Sequence, residues 1–221
     1  MIELFTIDPR TVGAADLART EPWLDDAERV RAAGLRHAVT RHVFLTTRAL
    51  VRKVLGSRIG VSPGDVPLAI DPAGRPFVVG EPEIVFSISH GPSLVLCSLG
   101  ARPHGIDAEP IERGAALLSM EDTVFSEEER RLLSNVEDRR RDAVHLWTLK
   151  ESYLKARGLG LRVDPRVASF GLRPVALTLG APLTDDVARW QFETCAIGEH
   201  LASVTMERGD TPLLPALLVA L

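Results

Sequence analysis

The stretch that most constrains this chain is Leu146 to Leu161, LWTLKESYLKARGLGL. Val144, Trp147, Glu151 and Leu154 are spaced three, four and three, the stripe that a helix turns toward a core. Gly158 and Gly160 supply the stop. A carboxylate, Glu151, interrupts this otherwise apolar stripe. Lys155 lies one turn further on, about 6 Å along the axis. Lys150 is next to Glu151, displaced by roughly 100° around the helix. An exposed Glu–Lys pair at i, i+4 would add only a few tenths of a kcal/mol. Composition argues for more. Lysine and arginine total 26, and three of these are lysines: Lys53, Lys150 and Lys155. Two of the three therefore fall on one helix in a chain that otherwise uses arginine. An ammonium is a compact charge whose pKa responds to its surroundings, so the pattern indicates a site and not a solvated face.

The rest of the chain sets limits. A length of 221 residues can bury a sizeable core, as one domain or two small ones. A formal net charge of -4 argues against bulk nucleic-acid binding. Cys97 sits in an apolar run, so it reads as a buried free thiol and not as a disulfide partner of Cys195. The N-terminus MIELFTIDPR lacks the basic-then-apolar pattern of a signal peptide. The apolar tail LLPALLVAL is too short to span a bilayer and contains Pro215. A cytoplasmic protein with no membrane partner is expected.

In chain order, IELFTI reads as an opening strand. Asp25 and Asp26 cap a helical region running to about Leu55, with Gly34 as a break. It carries Arg29, Arg31, Arg36, Arg41, Arg48 and Arg52, and nothing local says which of them would meet a phosphate. Asp71-Pro72-Ala73-Gly74 is a turn between two short apolar runs, followed by Arg75. IVFSISHG is a strand with Ser87 and Ser89 on one face, ending in His90 beside Gly91, where backbone can approach a ligand. SLVLCSL is its buried partner. In the strand HGIDAEP, Asp107 and Glu109 share a face. Two carboxylates so placed repel unless a cation or proton sits between them, and hard oxygen ligands suit Mg²⁺. Ser126 and Glu129 form a capping box opening a short helix, and SNVEDRRRD reads as a charged loop before the key helix. VALTLG, WQFETCAI and LASVTM read as antiparallel strands. The fold class is α+β, with short antiparallel sheets and flanking helices. Its two halves, residues 1–101 and 102–221, share an element order.

Three separated motifs, FSISH at 86–90, GIDAE at 105–109 and WTLKESYLK at 147–155, together resemble the 4'-phosphopantetheinyl transferases of the Sfp type. Gly74-Arg75-Pro76 and the Phe125 to Glu129 segment fit as well. The resemblance implies a fold of two α+β halves related by a pseudo-two-fold, with the active site between them. It implies Mg²⁺, or Mn²⁺ in its place, on Asp107, Glu109 and Glu151. It implies Ser89 and His90 at the coenzyme A phosphates, and Lys150 and Lys155 near the diphosphate. Arg75 would reach the 3'-phosphate, with Arg31 and Arg41 as further candidates because Glu28 stands where a basic residue is expected. Glu151, Lys155 and Lys150 would be the catalytic set. The implied reaction moves phosphopantetheine from coenzyme A to a serine of an acyl or peptidyl carrier protein, as in polyketide and non-ribosomal peptide synthesis, and releases adenosine 3',5'-bisphosphate. A monomer would suffice. The rival readings are a Mg²⁺-dependent diphosphate hydrolase and a non-catalytic carrier-binding module.

Overall fold

The computed structural model describes residues 1–209, 217–218 and 221. Most of the apolar tail read above, 213–221, lies outside the described residues. The first run of elements is β1 (Glu3–Ile7), α1 (Ala14–Thr20), α2 (Asp26–Gly34), α3 (Ala38–Ile59), β2 (Leu68–Ile70), β3 (Pro76–Val78), β4 (Val85–His90) and β5 (Val95–Gly100). The second run is β6 (His104–Pro110), α4 (Gly114–Ser119), α5 (Glu121–Val124), α6 (Glu127–Leu133) and α7 (Arg139–Ala156). It continues with β7 (Ala168–Leu172), β8 (Val175–Leu179), β9 (Trp190–Ile197) and β10 (His200–Glu207), and β11 (Leu217–Leu218) follows. Single turns of 3-10 helix join several of these. Each run thus contains a strand, a long helix, a hairpin and two closing strands.

Pairing repeats as well. In the first run β5 lies between β1 and β4, antiparallel to both, from Glu3 opposite Leu99 and Val85 opposite Gly100. In the second, β10 lies between β6 and β9, antiparallel to both, with Ser203 opposite Asp107 and Thr194. β11 adds a parallel edge to β1. The hairpins β2–β3 and β7–β8 stand apart as two-stranded sheets. The architecture is α+β, as the motif pattern implies.

Each long helix lies on its own sheet because its apolar stripe needs cover. Leu50, Val51, Val54 and Leu55 of α3 pack on Val95, Cys97 and Leu99 of β5. Val144, Trp147 and Leu154 of α7 pack with Leu201, Phe170 and Trp190. A third cluster joins the sheets: Ile2, Leu4 and Leu96 from the first meet Ile106, Ala202, Val204 and Met206 from the second. On its other face β10 meets α7 through hydroxyl pairs, Thr148 with Ser203 and Ser152 with Thr205, each at 2.8 Å. Buried hydroxyls that satisfy one another fix the helix register without leaving an orphan donor.

Helix ends follow their local chemistry. Asp25 and Glu28 close a capping box at the start of α2, and the helix stops at Gly34 before α3 begins. The charged stretch before α7 is not all loop: Asp138 caps the helix through the Arg141 N–H, so Arg139–Arg141 already form its first turn. A side-chain cap there overrides the charge repulsion. At the other end Gly158 has φ 67°, and Leu159 N–H donates to the Leu154 carbonyl while Gly158 N–H donates to that of Lys155. This is the paired 6→1 and 5→2 closure that a left-handed glycine permits. Gly105 has another reason to be glycine. A Cβ there would collide with the Ser152 carbonyl and the Ala156 amide, so β6 crosses α7 at backbone distance.

Candidate active site

That close crossing places β6 carboxylates against α7. Asp107 is 4% exposed and Glu151 9%. Lys155, one turn beyond Glu151, donates to Asp107 Oδ1 at 2.7 Å and to the Ile106 carbonyl at 3.0 Å. The remaining oxygen Oδ2 of Asp107 and Oε1 of Glu151 are buried without a hydrogen-bond partner. Two orphaned anionic oxygens cost free energy in an apoprotein. The cost shows in Glu151, whose carboxyl is pushed up to about 7 by burial first and by the Asp107 charge second. Glu109 is also raised, by burial and by Asp107, and its carboxylate is held by Arg113.

β4 lies alongside β6 through serine hydroxyls. Ser87 Oγ accepts from Ile106 N–H and Ser89 Oγ from Ala108 N–H, each at 3.1 Å. Ser89 Oγ also donates to Asp107 Oδ1 at 3.0 Å. The Ser89 hydroxyl is therefore engaged with Asp107, beside the carboxylates. His90 ends the strand at the rim of a cavity of about 230 Å³. Lys155, Arg48, Arg75, Gly74, Ser87, Gly158 and Gly160 also line it. Burial, then the charges of Lys155, Arg48 and Arg31, holds His90 below the usual histidine range. Arg75 is likewise lowered by burial. The cavity is cationic on one wall and adjoins the acidic cluster through Lys155.

Of the early arginines, Arg48 is the one in this cavity. Its sequence context does not set it apart from Arg29, Arg31, Arg36, Arg41 and Arg52. Its guanidinium and that of Arg31 flank the Phe44 ring, each 5.4 Å from the centroid. The Phe44–Arg48 spacing of four was the available signal. Arg31 instead lines a neighbouring groove with Val39, Phe44 and His90, and Arg41 is exposed on α3 and lines neither cavity. Glu28 is not a lost basic contact but a structural carboxylate, accepting from Arg52 Nε at 2.8 Å.

Lys150 corrects an expectation. It does not join Lys155 beside the carboxylates. Neighbouring positions on a helix diverge by roughly 100°, and Lys150 Nζ is buried on another side of α7, 2.7 Å from Glu129 Oε2. The expected metal triad is likewise only partly assembled. Among the described residues no three acidic, histidine or cysteine groups converge as a ready metal cluster. Asp107 and Glu151 carry the free oxygens, and Glu109 is tied to Arg113. Two carboxylates next to a cationic cavity still fit Mg²⁺, which takes few protein ligands and fills its octahedron with water and phosphate oxygens.

Comparison with known proteins points to one family. The sequence profile of the 4'-phosphopantetheinyl transferase superfamily matches residues 103–205, which span β6 to β10. The chain is 33% identical over 152 residues to 4'-phosphopantetheinyl transferase HetI of Nostoc sp., covering 66% of this chain and 63% of that one. It is 30% identical over 218 residues to a phosphopantetheinyl transferase of Thraustochytrium sp., covering 87% and 73%. To 4'-phosphopantetheinyl transferase Sfp of Bacillus subtilis it is 28% identical over 168 residues, covering 74% and 72%. The chain thus spans a little under two thirds of the Nostoc protein and a little over two thirds of the others. The carboxylate pair that β6 and α7 bring together falls within the matched region, and the chain belongs to the 4'-phosphopantetheinyl transferase superfamily.

Proposed function

We propose that this chain transfers the 4'-phosphopantetheine group of coenzyme A to a serine of an acyl or peptidyl carrier protein, with release of adenosine 3',5'-bisphosphate. The observation that carries the reading is the pair of buried, unpartnered oxygens on Asp107 and Glu151, joined by Lys155 to a cavity walled by Arg48, Arg75 and His90. Such a cationic wall would meet a diphosphate on one side, with the carboxylates left to hold a divalent cation on the other. Asp107 and Glu151 would hold Mg²⁺, with Glu109 as third ligand once it leaves Arg113, and Mn²⁺ has the same oxygen preference. When bound, the cation supplies charge neutralisation at the diphosphate.

Transfer of this kind needs alignment and charge stabilisation more than covalent help. The serine oxygen forms a bond to the phosphorus that carries pantetheine. The anhydride P–O bond breaks and the nucleotide phosphate leaves. Lys155 stands where it can donate to that leaving oxygen. Glu151 is the carboxylate placed to take the serine proton, through a water at the cation site, since a bound cation lowers the basicity of its own ligand. Arg48 and Arg75 neutralise the nucleotide phosphates, and His90 offers a neutral imidazole beside them. Residues 1–101 and 102–221 act as two halves of one unit, so a monomer is complete. Arg162 and Arg166, which follow α7, would face an acidic carrier. A cytoplasmic location suits both substrates, and among the described residues no helix is long and apolar enough to cross a membrane.

The test is intact-protein mass spectrometry of an apo carrier protein incubated with this protein, coenzyme A and Mg²⁺. A gain of one phosphopantetheine, lost on adding EDTA, is the expected result. Cleavage of coenzyme A with no gain on any carrier type would replace transfer with hydrolysis. Neither gain nor cleavage would leave a binding module.

A further inference from the structure

The side of α7 that holds Lys150 faces α6 and the segment leading into β7. An ammonium has three hydrogens, and Lys150 Nζ meets three oxygens. They are Glu129 Oε2 at 2.7 Å, the Pro165 carbonyl at 2.9 Å and the Ala168 carbonyl at 2.5 Å. The Lys150 and Glu129 side chains are both fully buried. Glu129 accepts in turn from Ser126 N–H and Phe170 N–H, each at 2.8 Å. One buried charge pair therefore ties the start of α6, the start of β7 and the end of the 157–168 segment to α7. The other end of that segment belongs to the cavity. Gly158 and Gly160 line it, and Arg162 donates to the Pro72 carbonyl at 3.0 Å in the turn that carries Arg75.

We propose that Lys150 is a positioning residue: it anchors the 157–168 segment as a wall of the cavity and so sets affinity for the nucleotide end of the substrate, without touching the reacting diphosphate. The proposal rests on the coenzyme A reading above. Its three hydrogens are all committed, so none remains for a phosphate. The three oxygens come from three elements, a geometry that a tetrahedral ammonium meets and the planar fork of arginine does not. This gives a physical reason for lysine at this position in a chain that carries 26 basic residues and only three lysines.

The small number of lysines also makes the test direct. Protein labelled with ¹⁵N-lysine has three side-chain ammonium groups to observe. One strongly protected signal is expected from Lys150, absent in the Lys150→Met, Glu129→Gln double variant. Coenzyme A with Mg²⁺ should shift the Lys155 signal more than that of Lys150; the reverse order would overturn the proposal. The double variant removes both buried charges together, which avoids stranding one of them. In steady-state assays it should keep kcat within about threefold while KM for coenzyme A rises about tenfold or more. A fall in kcat of about a hundredfold at unchanged KM would make Lys150 catalytic, and unchanged kcat and KM would make it structural only. Rescue of Lys150→Met by Lys150→Arg would equally refute the geometric requirement. Amide exchange separates this proposal from the coenzyme A reading, because it needs no ligand. Residues 158–170 should exchange about tenfold faster in the double variant with β6 unchanged, and equal exchange would overturn the tie even if coenzyme A never binds. Should the double variant fail to fold, the lysine signals of the unaltered protein decide.

Discussion

Glu151→Gln is expected to make the protein inactive and more stable, and the gain should depend on pH. In the folded protein the Glu151 carboxyl keeps its proton up to about 7, against an ordinary value of 4.5. Below 4.5 the carboxyl is protonated in folded and unfolded chains alike, so its charge costs the fold nothing. Between 4.5 and about 7 the unfolded chain loses the proton first, and the penalty on the folded state grows. Above about 7 both forms are ionised and the penalty is complete. At 1.36 kcal/mol per tenfold change, the full penalty is roughly 3 kcal/mol. For a chain of this size that corresponds to a shift in Tm of about 6–12 °C. Glutamine keeps the shape and carries no charge. Thermal unfolding in EDTA at pH 4 and pH 8 measures this. The variant should match the parent at pH 4 and exceed it at pH 8. Saturating Mg²⁺ should stabilise the parent and not the variant, since a ligand stabilises the state that binds it. An equal gain at both pH values, or none at pH 8, would refute the argument that burial of the Glu151 carboxylate, with the Asp107 charge beside it, strains this site.

Asp107→Ala and Glu151→Ala should each lower phosphopantetheine transfer by about a thousandfold or more while the protein stays folded, read by carrier mass and circular dichroism. Gly105→Ala places a methyl group against the Ser152 carbonyl and the Ala156 amide, so a loss of about 3 kcal/mol or more in urea unfolding is expected, or failure to accumulate soluble protein. Arg48→Met should raise KM about tenfold for coenzyme A and much less for its 3'-dephospho form; equal effects on both would move Arg48 away from the nucleotide phosphates.

The helix stripe through Trp147 and Glu151, the Asp71–Gly74 turn and the Ser126–Glu129 capping box were legible in the sequence because each rests on neighbours a few residues apart. So was the shared face of Asp107 and Glu109, which strand alternation alone dictates. The fold class and family followed from three motifs in order. What those motifs could not carry was direction and partner. Lys150 and Lys155 look alike in the sequence, yet roughly 100° of helix rotation per residue and a buried Glu129 from a separate element give them different work. Arg48 could not be chosen over Arg31 or Arg41 before α2 and α3 were packed around Phe44. Ser89 could not be seen to hold Asp107 until β4 and β6 lay side by side. Local spacing fixes which residues share a face, whereas the partner that a charge finds depends on contacts distant in the chain, and only the packed tertiary structure supplies those.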